Sequence, residues 1–181
     1  MRPSQARKFV LRTVLVAVTR TPLGLRPPAL WSGLRLGLGV ATPVMLGVAA
    51  AAALPPVRTA MADRDLPDAS ARWLLVRIPF GTVWAEEALY RGVLGTTAAA
   101  AFGPTGGRLL QSAVFGLSHI ADARATGETV VGTVVVTGAA GWLFAWMFER
   151  SGSLAAPMLA HLAINEAGAV AALATQRLFA L

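Results

Sequence analysis

The chain has 181 residues, of which 55% are hydrophobic and 14% are charged, and its mean hydropathy is +0.60. A soluble domain of this length is usually less apolar, so the composition argues against a soluble enzyme and indicates a membrane protein. Cysteine is absent, which excludes a disulfide framework, a thiolate metal site and a cysteine nucleophile.

The net charge of +7 is unevenly distributed along the chain. Residues 1–62 carry eight basic side chains and no acidic one. Because this segment leads into the first apolar span, the positive-inside rule and anionic lipid headgroups explain it better than nucleic acid does. We predict contact with membrane lipids, no nucleic-acid binding and a cytoplasmic N terminus. Lys8 is the only lysine against many arginines, a bias that is typical of high-GC bacteria. We expect the protein in a plasma membrane, with a bacterial source.

The first third of the chain predicts one surface helix and one span. Residues 9–18 predict an interfacial helix, since Arg12 interrupts their apolar run, and the prolines of residues 21–28 end it. A first span is predicted at residues 34–54. The polar residues 58–72 that follow are predicted to form an exposed loop.

The rest of the chain contains four further apolar segments that are candidates to cross a bilayer core. They are residues 73–102, 109–121, 130–148 and 154–175. A glycine-rich turn at residues 103–107 and a polar loop at residues 122–128 separate them. We therefore predict an all-α, polytopic transmembrane helical bundle with about five spans plus the N-terminal interfacial helix. Residues 1–32 would form a basic juxtamembrane segment and residues 33–181 the transmembrane domain.

The second predicted span contains charged residues near its centre. Each such group costs about 2.5 to 3.5 kcal/mol in a bilayer unless it is paired. Glu87 and Arg91 are four residues apart with the acid first, so an ion pair on one helix face is expected. Glu86 points to a different face and is left as a candidate general base. The alternative is that Glu86 is a structural residue bonded to a neighbouring helix.

The two histidines of the chain, His119 and His161, fall in apolar segments. Each has a companion at helical spacing, Phe115 and Asn165 respectively. The His161–Asn165 pair would aim an imidazole and a carboxamide into one space, which suits a developing oxyanion. With a cytoplasmic N terminus, span lengths place Glu86 and both histidines in one layer of the cytoplasmic half, so we predict one site open to the cytoplasm.

These residues form three ordered motifs, which are EExxxR at 86–91, FxxxH at 115–119 and HxxxN at 161–165. Their order and spacing resemble the CAAX-protease and bacteriocin-processing family, whose members include type II CAAX prenyl proteases. The resemblance covers about residues 73–175 and implies an intramembrane endopeptidase acting on a membrane-associated peptide or protein. Whether that substrate is prenylated stays open.

The resemblance also implies roles for the motif residues. Glu86, helped by His119, would activate a water for attack on a peptide carbonyl. His161 and Asn165 would stabilise the tetrahedral oxyanion. The supporting residues would be Glu87, Arg91 and Phe115.

Cofactor use and assembly stay open at this stage. We expect no required cofactor, although Glu86, His119 and His161 are the residues that would ligate a divalent metal such as zinc. Many relatives have more helices before EExxxR, so homo-oligomerisation is a further possibility. Two other functions compete: a non-catalytic scaffold or bacteriocin-immunity-type protein that uses the polar cluster for packing or partner binding, and a small proton-relaying transporter.

Overall fold

The computed structural model describes residues 3–179, without the side chains of residues 3–5 and 8. Regular structure in the described residues is entirely helical, which confirms the predicted all-α class. The α-helices are α1 Pro3–Thr19, α2 Ala29–Ala52, α3 Pro55–Ala62, α4 Ser70–Arg72, α5 Ala85–Glu87, α6 Thr96–Ser118, α7 Ile120–Thr126, α8 Val130–Ser151 and α9 Ala155–Phe179. Two π-helical stretches, π1 Trp73–Trp84 and π2 Ala88–Gly95, flank α5.

Within residues 3–179, three helices are long and apolar enough to cross a membrane, namely α2, α8 and α9. Large apolar side chains such as Leu38, Val131 and Val136 point outward from the bundle, as expected where lipid is the solvent. The chain is therefore a helical membrane protein, and three of the about five predicted spans, those at residues 34–54, 130–148 and 154–175, correspond to these helices. The second predicted span is divided among π1, α5, π2 and the start of α6 and carries four charges, and the third is the short second arm of α6, after the kink at Gly103.

Two predicted loops are partly helical. Residues 58–62 of the expected 58–72 loop lie in α3, which begins at Pro55 and Pro56 because proline fits the first turn of a helix, where its missing N–H is not needed. The expected loop at 122–128 lies mostly in α7, whose alanines favour helix. Gly127 ends α7 with a φ of 73°, a left-handed conformation that glycine adopts freely.

Small residues let the main helices approach closely. Methyl groups added at Gly33 and Gly37 of α2 would lie 2.7 Å from the Ser153 side chain and 2.9 Å from the Ala156 carbonyl, respectively. These contacts make α2 parallel to α9, and the two helices share the most extensive packing in the bundle. We call the end where α2 and α9 begin the proximal end, and the end where they finish the distal end.

The α6 helix contains a sharp kink at Gly103. The backbone there has φ 75° and ψ 168°, which non-glycine residues rarely adopt. Gly107 then packs directly on the Ala99 backbone, so the two arms of α6 fold closely together. The second arm runs antiparallel to α8 from the proximal end towards the distal end, with Gly116 against Val134 and Gly138.

The α1 helix lies lengthwise along the bundle, whereas the sequence predicts an interfacial helix. Phe9 packs edge-on against Phe80 of π1, with ring centroids 6.4 Å apart. One turn later the Trp84 indole donates a hydrogen bond of 3.0 Å to the Thr13 hydroxyl. The apolar face of α1 thus covers π1, α5 and π2, and α1 begins towards the distal end.

We predict that Gly116→Ala lowers the stability of the protein. The added methyl group would lie 2.6 Å from the Val134 carbonyl oxygen, so α6 and α8 must separate, at a cost of about 1 to 3 kcal/mol. Thermal unfolding of the purified protein in detergent measures the change. Gly47→Ala is the matched control, because an added Cβ there meets nothing within 4 Å. A Gly116→Ala variant as stable as the control would contradict the packing.

Candidate active site

The carboxylate of Glu87 joins two other helical elements at the centre of the bundle. One oxygen, Oε1, lies 2.7 Å from Nδ1 of His161 on α9. The other, Oε2, lies 3.2 Å from Nε of Arg91 on π2 in the predicted ion pair, without hydrogen-bond alignment. The Glu87 and Arg91 side chains are both fully buried. Because an ionised carboxylate only accepts, His161 donates its Nδ1 proton to Glu87.

Aromatic rings surround the buried Arg91 guanidinium and pack on His161. The Arg91 guanidinium carbon lies 4.1 Å from the Phe115 ring centroid and 5.0 Å from that of Phe144. Phe144 also stacks on the His161 imidazole with centroids 5.2 Å apart and an interplanar angle of 22°. The rings supply cation–π attraction that partly replaces the hydration lost by Arg91. Gly141 leaves room here, since an added Cβ would lie 3.4 Å from an Arg91 Nη atom.

Glu86 approaches the same histidine from the other side. Its Oε2 atom lies 4.0 Å from Nε2 of His161, and its side chain is 21% exposed. That oxygen is buried and has no hydrogen-bond partner among the described residues. Glu86 and Glu87 therefore flank the two nitrogens of one imidazole. Both lie in α5, a short α-helical turn between π-helical stretches, and such irregular turns are frequent at functional sites.

His119 stands at the end of α6, adjacent to this cluster. Its Nδ1 lies 2.8 Å from the Phe115 carbonyl oxygen, so that nitrogen carries a proton and donates it to the carbonyl. The Phe115 ring contacts both imidazoles, with centroids 4.7 Å from His119 and 6.2 Å from His161. The structure thus brings His119 to the cluster through Phe115, and no direct contact with Glu86 is found among the described side chains.

Asn165 lines a cavity of about 520 Å³ on the distal side of the cluster. Its side-chain nitrogen donates a hydrogen bond of 3.1 Å to the His161 carbonyl, one turn back on α9. Thr82, one turn before Glu86, lines the same cavity. The cavity extends from these two residues towards the loop that contains Arg64 and Asp65, so it lies on the distal side of the cluster.

The geometry does not favour a metal site. In the part of the chain that the structure describes, no group of three or more histidine, aspartate and glutamate side chains is arranged to hold an ion. Glu86 and His161 approach one another, but His119 contacts the cluster through the Phe115 ring. Zinc needs three protein ligands at about 2.0 to 2.2 Å in a catalytic site, and Glu86, His119 and His161 do not form that set here. We therefore derive no step through a metal.

The structure adds contacts that sequence reasoning missed. Sequence spacing assigns Glu87 only to Arg91, although a carboxylate has a second oxygen that needs a partner in an apolar interior. That unassigned oxygen was the available signal for the contact with His161. The stacking of Phe144 on His161 could not be predicted from the sequence. It depends on how the turn at Gly152 places α8 against α9.

A comparison with protein families matches residues 68–167 to the family described as type II CAAX prenyl endopeptidase Rce1-like. The match covers more than half of the chain and includes all three motifs. The chain belongs to this family. Family membership supports a protease, specifically an endopeptidase, and confirms the suspected resemblance. No curated protein and no solved structure matches the chain significantly.

We predict that the Glu87–Arg91 pair of this Rce1-like bundle shows strong coupling in a double-mutant cycle. Glu87→Gln and Arg91→Met alone each leave a buried charge without its partner, which costs about 3 to 5 kcal/mol. The double variant should lose much less than the sum, because both charges are gone. Chemical denaturation in detergent provides the four unfolding free energies.

The control cycle uses Arg108 and Glu149, whose ion pair is partly exposed at the proximal end. Its coupling should be about 0 to 1 kcal/mol. Additive losses at the Glu87–Arg91 pair would show that the two charges do not depend on one another.

Proposed function

We propose that this chain is an intramembrane endopeptidase that hydrolyses a peptide bond in a membrane-associated peptide or protein. The supporting observation is the 4.0 Å separation between Glu86 Oε2 and His161 Nε2. This distance is too long for a direct hydrogen bond and is suited to one water that bonds both atoms. The cavity at Asn165 and Thr82 would bring the scissile carbonyl to that water.

In the proposed reaction, Glu86 removes a proton from the water as its oxygen attacks the carbonyl carbon. The new C–O bond forms and the carbonyl electron pair moves onto oxygen. Before the attack, Glu86 is ionised and His161 carries a proton on each nitrogen, so the cluster is neutral because Glu87 and Arg91 also neutralise one another. His161 Nε2–H and the Asn165 amide then donate to the oxyanion. The C–N bond breaks as Glu86 returns the proton to the leaving amine.

We assign His119 a helper role in the same reaction. Its Nδ1 proton is committed to the Phe115 carbonyl, which leaves Nε2 as an acceptor. A hydrogen bond from the attacking water to this nitrogen would assist Glu86 in removing the proton. His119 would therefore act on the water, whereas His161, which also bonds this water, would act on the oxyanion.

We expect Glu86→Gln and His161→Ala each to lower kcat/KM for peptide cleavage about 10² to 10⁴-fold, since each removes a proton-transfer or oxyanion group. His119→Ala should cost less. Cleavage of fluorogenic peptides by the purified protein in detergent is the measurement, and Glu149→Gln at the proximal end is the matched carboxylate control.

Full activity of Glu86→Gln would reject the proposed base. If Glu86→Gln also kept its biological activity, a non-catalytic scaffold or immunity-type protein would explain the polar cluster instead.

We further propose that the protein lies in the bacterial plasma membrane with its N terminus and its site facing the cytoplasm. The motivation is the basic N-terminal segment. Because α1 begins towards the distal end, a cytoplasmic N terminus places the cavity mouth on the same side. In this orientation α2 and α9 begin at the outer side of the membrane and finish at its cytoplasmic side.

The absence of cysteine makes this orientation directly measurable. Ala69→Cys places a thiol at the exposed distal loop, and Thr105→Cys places one beside the proximal kink. In intact bacterial host cells, a membrane-impermeant maleimide should label Thr105→Cys and spare Ala69→Cys until the cells are lysed. The reverse pattern would place the cavity mouth outside the cytoplasm.

A further inference from the structure

A second cavity, of about 420 Å³, lies at the proximal end between the two arms of α6 and the end of α8. We call it the proximal cavity, and it shares no lining residue with the distal one. Two of its lining residues, Arg91 and Gln111, are buried, with exposures of 1% and 0%. They form its inner end, whereas Arg108 and Glu149 are partly exposed and lie towards its mouth.

Both buried side chains have polar atoms without a partner. The Gln111 amide nitrogen donates to the Gly141 carbonyl at 3.0 Å and lies 3.2 Å from the Arg108 carbonyl, which fixes the orientation of the amide. Its other atom, Oε1, has no partner among the described residues, and the same holds for Nη1 and Nη2 of Arg91. Buried polar groups of this kind are costly to leave unpaired, so their presence at one cavity indicates a ligand group.

These atoms define the hydrogen bonds that a ligand must make. Arg91 can only donate, and Gln111 Oε1 can only accept. A carboxylate would accept from Arg91 but has no proton for Gln111, and an ammonium group has the opposite mismatch. A hydroxyl or a primary amide has both an acceptor and a donor, so it can bond to Arg91 and Gln111 together.

The charges around the cavity require a neutral ligand. Arg91, Arg108 and Glu149 are the charged residues of the lining that the structure describes. Arg108 is paired with Glu149, and Arg91 is paired with Glu87 behind the lining. A charged ligand would therefore add an unbalanced charge next to a buried ion pair, which is unfavourable in an apolar interior.

The rest of the lining indicates that the ligand has an apolar body. Ala99, Pro104, Ala145 and Phe148 supply most of the remaining wall. One water has a volume of only about 30 Å³, so it could satisfy the inner polar atoms but not fill this space. Small-molecule sites usually measure about 300 to 1,000 Å³ and combine apolar walls with a few fixed polar groups. The proximal cavity has this composition.

We infer that the proximal cavity binds a neutral, largely apolar small molecule through one hydroxyl or primary amide group. This group accepts hydrogen bonds from Arg91 and donates one to Gln111. The site lies apart from the cavity at Asn165 and Thr82, so the inference does not depend on the proposed function.

The test compares five probes that share one carbon chain and differ in their polar group. Hexanamide and hexanol have the required donor and acceptor, whereas N,N-dimethylhexanamide only accepts, and hexanoate and hexylammonium are charged. Fluorine NMR of labelled probes with the purified full chain in detergent gives the affinities, after subtraction of binding to micelles alone. Hexanamide or hexanol should bind at least about tenfold more tightly than each mismatched probe.

The outcomes of this comparison are distinct. A preference for hexanamide assigns a primary amide to the natural ligand, and a preference for hexanol assigns a hydroxyl. Equal affinities for all five probes overturn the inference. The lack of any saturable binding also overturns it, since the polar atoms would then be served by water alone.

Ala99→Leu should abolish binding of the preferred probe, because the larger side chain occupies the cavity. Ala100→Leu is the matched control, since this neighbour on the same arm is exposed and lies outside the lining. Gln111→Leu should weaken the preferred probe about tenfold and leave N,N-dimethylhexanamide unchanged, because only the acceptor is lost. Thermal unfolding identifies a variant that does not fold. Unchanged binding in folded Ala99→Leu overturns the placement of the site.

A measurement on Glu86→Gln separates this inference from the proposed function. The two cavities share no lining residue, so this variant should bind the preferred probe as tightly as the wild type does. Such binding supports the proximal site even if the wild type cleaves no peptide. Loss of probe binding in folded Glu86→Gln would place the probe at the distal cavity and overturn the inference.

Discussion

The position of His161 depends on one buried carboxylate, that of Glu87. An isolated carboxylate in the interior of a membrane bundle is costly, and so is an isolated guanidinium. Glu87 lowers both costs, because one of its oxygens contacts Arg91 and the other contacts His161. Because its two partners lie on different elements, the contact ties the π2 segment to α9. It also fixes which nitrogen of His161 faces Glu86.

The surroundings of Arg91 explain how the pair is tolerated. The terminal nitrogens of Arg91 have no hydrogen-bond acceptor among the described residues, yet Phe115 and Phe144 place their ring faces near the guanidinium. This arrangement needs a close approach of α6 and α8, which small residues such as Gly116 and Gly141 permit. The stability of the buried Arg91 charge therefore depends on the close packing of α6 and α8.

The division of labour between the two glutamates follows from their environments. Glu87 is fully buried and committed to two partners, whereas Glu86 is partly exposed and its inner oxygen has no partner within residues 3–179. A group that is already paired is poorly suited to exchange a proton with a substrate, whereas one that faces an imidazole across 4.0 Å can do so. The distal cavity reaches the neighbourhood of this second carboxylate, since Asn165 and Thr82 line it.

The sequence by itself determined the helical membrane class, the Glu87–Arg91 pair and the family, because each is local. Hydropathy follows from composition, the pair from spacing of four residues, and the family from ordered motifs. Only the tertiary structure decided that Glu87 holds His161, that α1 runs along the bundle and that α6 folds back at Gly103. The first two features depend on contacts between residues that are distant in sequence, such as Glu87 and His161, which are 74 positions apart. The third depends on the backbone conformation of one residue, Gly103. Periodicity along one helix carries no information about which neighbouring helix its polar residues will meet.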